Sequence, residues 1–188
     1  TDLDALAAEP GLDVFVTAGP SDIASADLVV LPGSRSTVAD LGWLRRLGLA
    51  EALSRRAEAG GPILGICGGY QMLAETIHDP VESASGTERG LGLLPARVRF
   101  TAEKVLAQPA GSWRGHPVSG YEIHHGVVEP TAGDPFLDGI RVGNTWGTIW
   151  HGAFENDGFR RAWLTELAAT VGSSWQPVPD APGFAQRR

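Results

Sequence analysis

The chain contains a single cysteine, Cys67, in the stretch "PILGICGGYQML". It stands at the end of an apolar run and is ringed by Gly65, Gly68 and Gly69. A cysteine buried in a strand needs no such collar, whereas a thiol held out on a tight turn does. Strand, then Gly-x-Cys-Gly-Gly, then helix is the form of a nucleophile elbow with Cys in place of Ser. There the backbone is strained, and side chains beside the nucleophile would collide. The N-terminal end of the following helix points its dipole at the sulfur and favours thiolate over thiol. A lone cysteine out of context is more often a small buried hydrophobe; here the glycine pattern favours the nucleophile.

A cysteine nucleophile needs a base, and a thiolate–imidazolium pair is the usual means. The chain offers His78, His116, His124, His125 and His151. His151, in "TWGTIWHGAFEN", ends an apolar strand and is followed at once by Gly152. That is a strand end, where the sites of open α/β sheets gather. Without Cys67 it would read as a surface histidine at the start of a loop. His124 and His125 in "GYEIHHG" are weaker candidates, because neighbours in a strand point to opposite faces. The turn "LPGSRST" is a third site, since Pro-Gly after a buried strand lets backbone N–H groups approach a ligand. In an acyl-transfer site Gly33 could supply one oxyanion donor and Gly68 the other. A phosphate loop is the rival, but there is no G-x-x-x-x-G-K-[ST] pattern; a plain loop is the third option.

The elements that must position these residues alternate. Residues 3–9 have helical spacing, with Asp2 as a candidate cap and Pro10-Gly11 as the stop. "DVFVTA" reads as a short strand. Leu28-Val29-Val30-Leu31 reads as a buried parallel strand ending at Pro32-Gly33. Residues 37–59 are helical and broken by Gly48. "GGPILGI" is the next buried strand, and "GGYQMLAETI" the helix after the cysteine. Such alternation predicts an α/β fold, a mostly parallel sheet flanked by helices. The second half, with "LPARVRF", "GYEIHHGVV" and "IRVGNTWGTIW", reads as short strands partly antiparallel to the first set. A last helix puts Phe159, Ala162, Trp163, Leu167 and Val171 on one face and stops at Gly172. The Pro-rich tail "QPVPDAPGFAQRR" is expected to be poorly ordered.

Composition narrows the function classes. The 188 residues are 43% apolar and 20% charged, enough for one domain with a core. A net charge of −7 argues against nucleic acid or an anionic membrane as partner. One cysteine makes no internal disulfide, which fits a reducing, cytoplasmic setting. No apolar run approaches the roughly 20 residues of a membrane span, and the first residues lack the pattern of a signal peptide. The histidines lack metal-ligand spacing, so no metal site is expected.

Taken in order, "LVVLPGSRSTVADLGWLR", "GGPILGICGGYQML", "GLGLLP", "GYEIHHG" and "GTIWHGAFEND" cover most of the chain from Leu28 to Trp163. With these segments it resembles a class I (triad-type, flavodoxin-like) glutamine amidotransferase domain, most nearly the glutaminase domain of the cobyric acid synthase branch. The resemblance implies that Cys67 attacks the side-chain amide of glutamine and that His151 activates thiol and water. It further implies that Gly33 and Gly68 hold the oxyanion and that Gln71 helps bind the substrate. Most members carry a triad Glu two residues after the histidine. Here position 153 is Ala and Glu155 lies four residues on. A Cys67–His151 dyad is therefore expected, with Glu155 an open candidate for the orienting carboxylate. His125 stands where the family pattern leads one to expect Met. The branch passes ammonia to an N-terminal synthetase domain of the same polypeptide, absent here, which uses ATP and Mg²⁺ to amidate a corrinoid, adenosylcobyrinic acid a,c-diamide. The glutaminase domain itself needs no cofactor. The resemblance also leads one to expect a further strand before "TDLDAL" and a further helix after "GFAQRR". Sibling amidotransferases (cobyrinate a,c-diamide synthase or the enzyme amidating lipid II) and a catalytically silent docking domain are the alternatives.

Overall fold

Short apolar runs bounded by Gly and Pro become strands, and the amphipathic stretches between them become the covering helices. The computed structural model describes residues 2–186, so Arg187 and Arg188 of the tail lie outside the described residues. In chain order the helices are α1 (Asp4–Ala7), α2 (Pro20–Ser25), α3 (Thr37–Arg46), α4 (Leu49–Glu58), α5 (Gly68–Leu73) and α6 (Asp157–Thr170). The strands of the main sheet are β1 (Val29–Leu31), β2 (Ile63–Ile66), β9 (Asp134–Phe136), β10 (Gly139–Val142) and β11 (Thr145–Thr148). Their order is β1-β2-β11-β10-β9. The β1–β2 and β2–β11 pairs are parallel, and β10 and β9 add antiparallel pairs at one side.

Strand β2 is buried throughout and serves both faces of the sheet. Ile63 belongs to a core formed with Leu41, Leu44, Leu49 and Leu53 of α3 and α4. Leu64 and Ile66, one residue out of phase, join Trp146, Phe159, Trp163 and Leu167 on the other face. Gly48 (φ 72°) separates α3 from α4, as the sequence indicates. Phe159, Trp163 and Leu167 form the buried stripe of α6, which ends before Gly172 (φ 70°).

The second half departs from a single sheet. The strands β3 (Thr76–Asp79), β4 (Gly86–Arg89), β5 (Ala96–Ala107) and β8 (Glu122–Pro130) form a separate sheet, ordered β4-β3-β5-β8. Between β5 and β8 lies the hairpin of β6 (Ala110–Trp113) and β7 (His116–Ser119). Three local expectations are corrected, and one helix is added. The helix after Cys67 ends at Leu73, and Thr76–Asp79 becomes strand, with Thr76 opposite both Arg89 and Arg97. Segment 13–18 forms no strand, and Val16 is 91% exposed: no described residue pairs with it, and a strand exists only as half of a ladder. Helix α2, with Pro20 in its first turn, occupies a stretch to which the sequence reading assigned no element. The tail lacks regular structure over 173–183 but is tied down. Phe184 is buried, its N–H donates to Asp157 Oδ1 at 2.9 Å, and Arg161 Nη2 donates to the Ala181 carbonyl. Among the described residues, no helix is long and apolar enough to cross a membrane.

Candidate active site

Cys67 follows β2 directly and precedes α5, with φ 51° and ψ −111°. Few non-glycine residues adopt such a backbone, and holding one there costs about 1–3 kcal/mol. Neighbouring contacts enforce it. The Cys67 N–H donates to the Thr148 carbonyl of β11 at 2.8 Å. The glycines permit the approach of three separate elements. A methyl group on Gly65 would lie 2.7 Å from the Tyr70 nitrogen, one on Gly68 2.6 Å from the Ser34 nitrogen, and one on Gly69 would overlap the Leu31 carbonyl oxygen. The collar therefore seats the turn between α5, the loop after β1, and β1 itself. The sulfur is in a side chain only 5% exposed and forms no disulfide.

His151 reaches this sulfur from the other side. Beyond β11 the chain is steered by Asp138, whose carboxylate accepts from Thr148 Oγ1 at 2.5 Å and from the Ile149 N–H at 3.1 Å. His151 then bridges to Tyr121 through two backbone hydrogen bonds of 2.9 Å, and the two rings stack with centroids 5.1 Å apart. The imidazole is hydrogen-bonded to Cys67. Its Nδ1 lies 2.8 Å from Asp2 Oδ2, and Asp2 Oδ1 accepts the Gly152 N–H at 2.9 Å. The hydrogen bond to Asp2 and then that to Cys67 outweigh burial and push the His151 pKa up to about 10. Burial acts to raise the Asp2 pKa, yet the bonds from His151 and Gly152 prevail and hold that carboxyl below its usual value.

Gly33 packs against the side chains of both His151 and Cys67. A methyl group there would lie 2.8 Å from His151 Cε1 and 3.8 Å from Cys67 Cβ, so its backbone faces both reacting groups. Gly68 opens α5, and the first N–H groups of a helix have no partner within it. The structure thus brings Cys67, His151, Gly33 and Gly68 together. Gln71 lies on the elbow helix, four residues after Cys67. Its side chain is buried, with Oε1 accepting from Thr37 Oγ1 at 2.9 Å and Nε2 donating to the Gly126 carbonyl at 3.1 Å. It ties α3 and β8 to the elbow helix, and its amide is committed to protein partners. Glu155 sits in the 3₁₀ turn Ala153–Glu155 just beyond His151, but the carboxylate on Nδ1 is that of Asp2.

Of the remaining histidines, His78 of β3 pairs with Thr87 of β4, and His116 lies on the β7 hairpin strand. His124 bonds the Gly126 carbonyl and Glu122. Sequence reasoning missed Asp2, Tyr121 and Asp138 as parts of the site. Asp2 was read as a helix cap, yet the cap position of α1 is Leu3 and carries no side-chain cap bond. No periodic signal links a carboxylate to an imidazole 149 residues away. Tyr121 carried a weak signal, standing inside the "GYEIHHG" segment, and Asp138 carried none.

A strained Cys elbow with a histidine and two glycines gathered around it, on an α/β core, is an arrangement suited to cysteine acyl transfer. A solved "glutamine amidotransferase" has the same fold, with a TM-score of 0.68 and 20% identity over 89% of this chain and 90% of its own. The family model of the CobB/CobQ-like glutamine amidotransferase domain matches residues 1–159, and the chain belongs to that family. It is 59% identical to a cobyric acid synthase of Streptomyces coelicolor over 100% of this chain and 37% of the relative. It is 62% identical to one of Streptomyces avermitilis over 95% and 36%, and 56% identical to one of Cutibacterium acnes over 100% and 40%. The chain thus spans well under half the length of the curated relatives it matches.

Proposed function

We propose that this domain hydrolyses glutamine to glutamate and ammonia, as the glutaminase of a cobyric acid synthase. The observation that carries the reading is the strained Cys67 elbow with the His151 imidazole packed beside it and held at Nδ1 by Asp2. The sulfur attacks the γ-carboxamide carbon, and the oxygen takes the electron pair while facing the Gly33 and Gly68 N–H groups. His151 delivers a proton to the amide nitrogen, the C–N bond breaks, and ammonia leaves a γ-glutamyl thioester on Cys67. His151 then takes a proton from water as the water attacks the thioester. Collapse breaks the C–S bond and releases glutamate with the thiol site restored. Each turn consumes one water and one glutamine.

The names and lengths of the relatives support an N-terminal synthetase domain in the same polypeptide as the recipient of the ammonia. There ATP and Mg²⁺ would activate corrinoid carboxylates of adenosylcobyrinic acid a,c-diamide. A polypeptide with one cysteine in this domain and no disulfide suits the cytoplasm.

The test is labelling of the full-length polypeptide with a glutamine-mimicking electrophile, followed by mapping of the adduct by mass spectrometry. One adduct on Cys67, blocked by excess glutamine and lost in Cys67→Ser, is expected. Ammonia release that survives Cys67→Ala would overturn the mechanism. Corrinoid amidation driven by glutamine, but lost in that variant while free ammonia still supports it, is the expected result for the acceptor; amidation of a lipid-linked acceptor alone would assign a sibling instead.

A further inference from the structure

We propose that Asp2 is the orienting carboxylate of this site, completing a Cys67–His151–Asp2 triad in which the acid lies 149 residues before the histidine in sequence. The proposal rests on the glutaminase reading above and adds to it the group that sets the tautomer and charge of His151.

Both oxygens of Asp2 are engaged, one with His151 Nδ1 at 2.8 Å and the other with the Gly152 N–H at 2.9 Å. Two acceptors on one planar group fix the imidazole relative to its own backbone, so Nδ1 carries a proton and the opposite ring nitrogen is left for the sulfur. Both side chains are only 13% exposed, so the pair is shielded from water. The other groups around the ring do not compete for Nδ1. Cys67 is bonded at the imidazole, Tyr121 stacks on a face, and Glu155 stands beyond Gly152.

Asp2 is held by its surroundings. Immediately after it, α1 buries Ala5 and Leu6 against the Phe154 and Phe159 cluster. Two residues past α1, Glu9 is buried and gripped by two arginines of α6. Arg160 Nε and Nη2 donate to its Oε2 at 2.8 and 2.6 Å, and Arg161 Nε donates to Oε1 at 2.8 Å. The segment that carries the carboxylate is therefore packed into the same core as the turn that carries the histidine.

Only a carboxylate fits the two positions. An Asn at position 2 must turn its NH₂ either to the Gly152 N–H, donor against donor, or to Nδ1, which forces the wrong tautomer. In the full-length polypeptide, Asp2→Asn is expected to lower kcat for ammonia release by about 10²-fold or more while KM stays within about 3-fold, because Asp2 does not touch glutamine. The alkaline limb of kcat/KM, set by loss of the His151 proton, is expected to move to lower pH, and Asp2→Glu should recover part of the loss seen in Asp2→Ala. An Asp2→Asn enzyme with unchanged kcat and an unmoved limb would overturn the proposal. So would a limb that moves with Glu155→Gln and not with Asp2→Asn. Should the variants fail to fold, ¹⁵N NMR of the native protein decides: a proton on Nδ1 of His151 is expected, and a bare Nδ1 overturns the assignment. Cys67→Ala run in parallel separates the two failures, since activity surviving there removes the glutaminase reading itself.

Discussion

The imidazole of His151 is held from three directions: a carboxylate at Nδ1, a sulfur hydrogen-bonded to the ring, and the ring of Tyr121 against a face. Its pKa is raised from 6.5 to about 10, chiefly by the Asp2 bond. A group whose folded pKa is raised stabilises the fold fully below its unfolded pKa and loses that contribution as pH rises through the folded one. Thermal unfolding should therefore show Tm falling between about pH 6.5 and 10, and falling less in Asp2→Asn. An equal slope in both proteins would detach the shift from Asp2. At this scale Cys67 and His151 were legible in the sequence because local backbone demands left glycines beside them. Asp2 was not, because its role depends on a distant partner and any acidic residue before a helix looks like a cap. Gln71 was legible as a site-adjacent residue only; that its amide is taken up by Thr37 and Gly126 depends on how α3 and β8 meet it.

At the scale of elements, the glycines around the elbow divide by what they face. Gly69 packs on the backbone of β1, which cannot yield, so Gly69→Ala should destabilise the domain by about 3 kcal/mol or more and show in the denaturant midpoint. Gly33 faces the side chain of His151, so Gly33→Ala should leave the midpoint nearly in place and reduce ammonia release by displacing the ring. If both variants lose stability equally, the division is wrong. The parallel strands at the centre were legible because their apolar runs are continuous and bounded by turn residues. The "DVFVTA" segment was misread because alternation and β-branched residues state a preference, while a strand also needs a neighbour. Helix α2 was missed because its six residues offer one buried apolar side chain, Ile23, too few for a period. The separate second sheet was missed because register between β5 and β8 is a property of the pair.

At the scale of the whole molecule, segments far apart in sequence meet through charge. Arg160, 1% exposed, joins Glu9, Asp157 and the Phe154 carbonyl. Arg160→Met would leave Glu9 buried with only Arg161 against it, at a cost of about 3–5 kcal/mol. Activity should fall together with the denaturant midpoint, because the segment that Glu9 anchors also carries Asp2. Retention of full activity in a destabilised Arg160→Met protein would separate anchor from site.

Asp2 and His151 are separated by 149 residues, with the nucleophile between them. A ribosome adds roughly 5–20 residues per second, so the acid waits roughly 7–30 s for its base to be made. Once Cys67 is made, the nascent chain holds the acid and the thiol but still lacks His151, which joins them. An unfinished chain, or one stalled or cut before β11, therefore has no means of breaking down glutamine, and hydrolysis begins only once the last third of the domain has folded back onto its first residues.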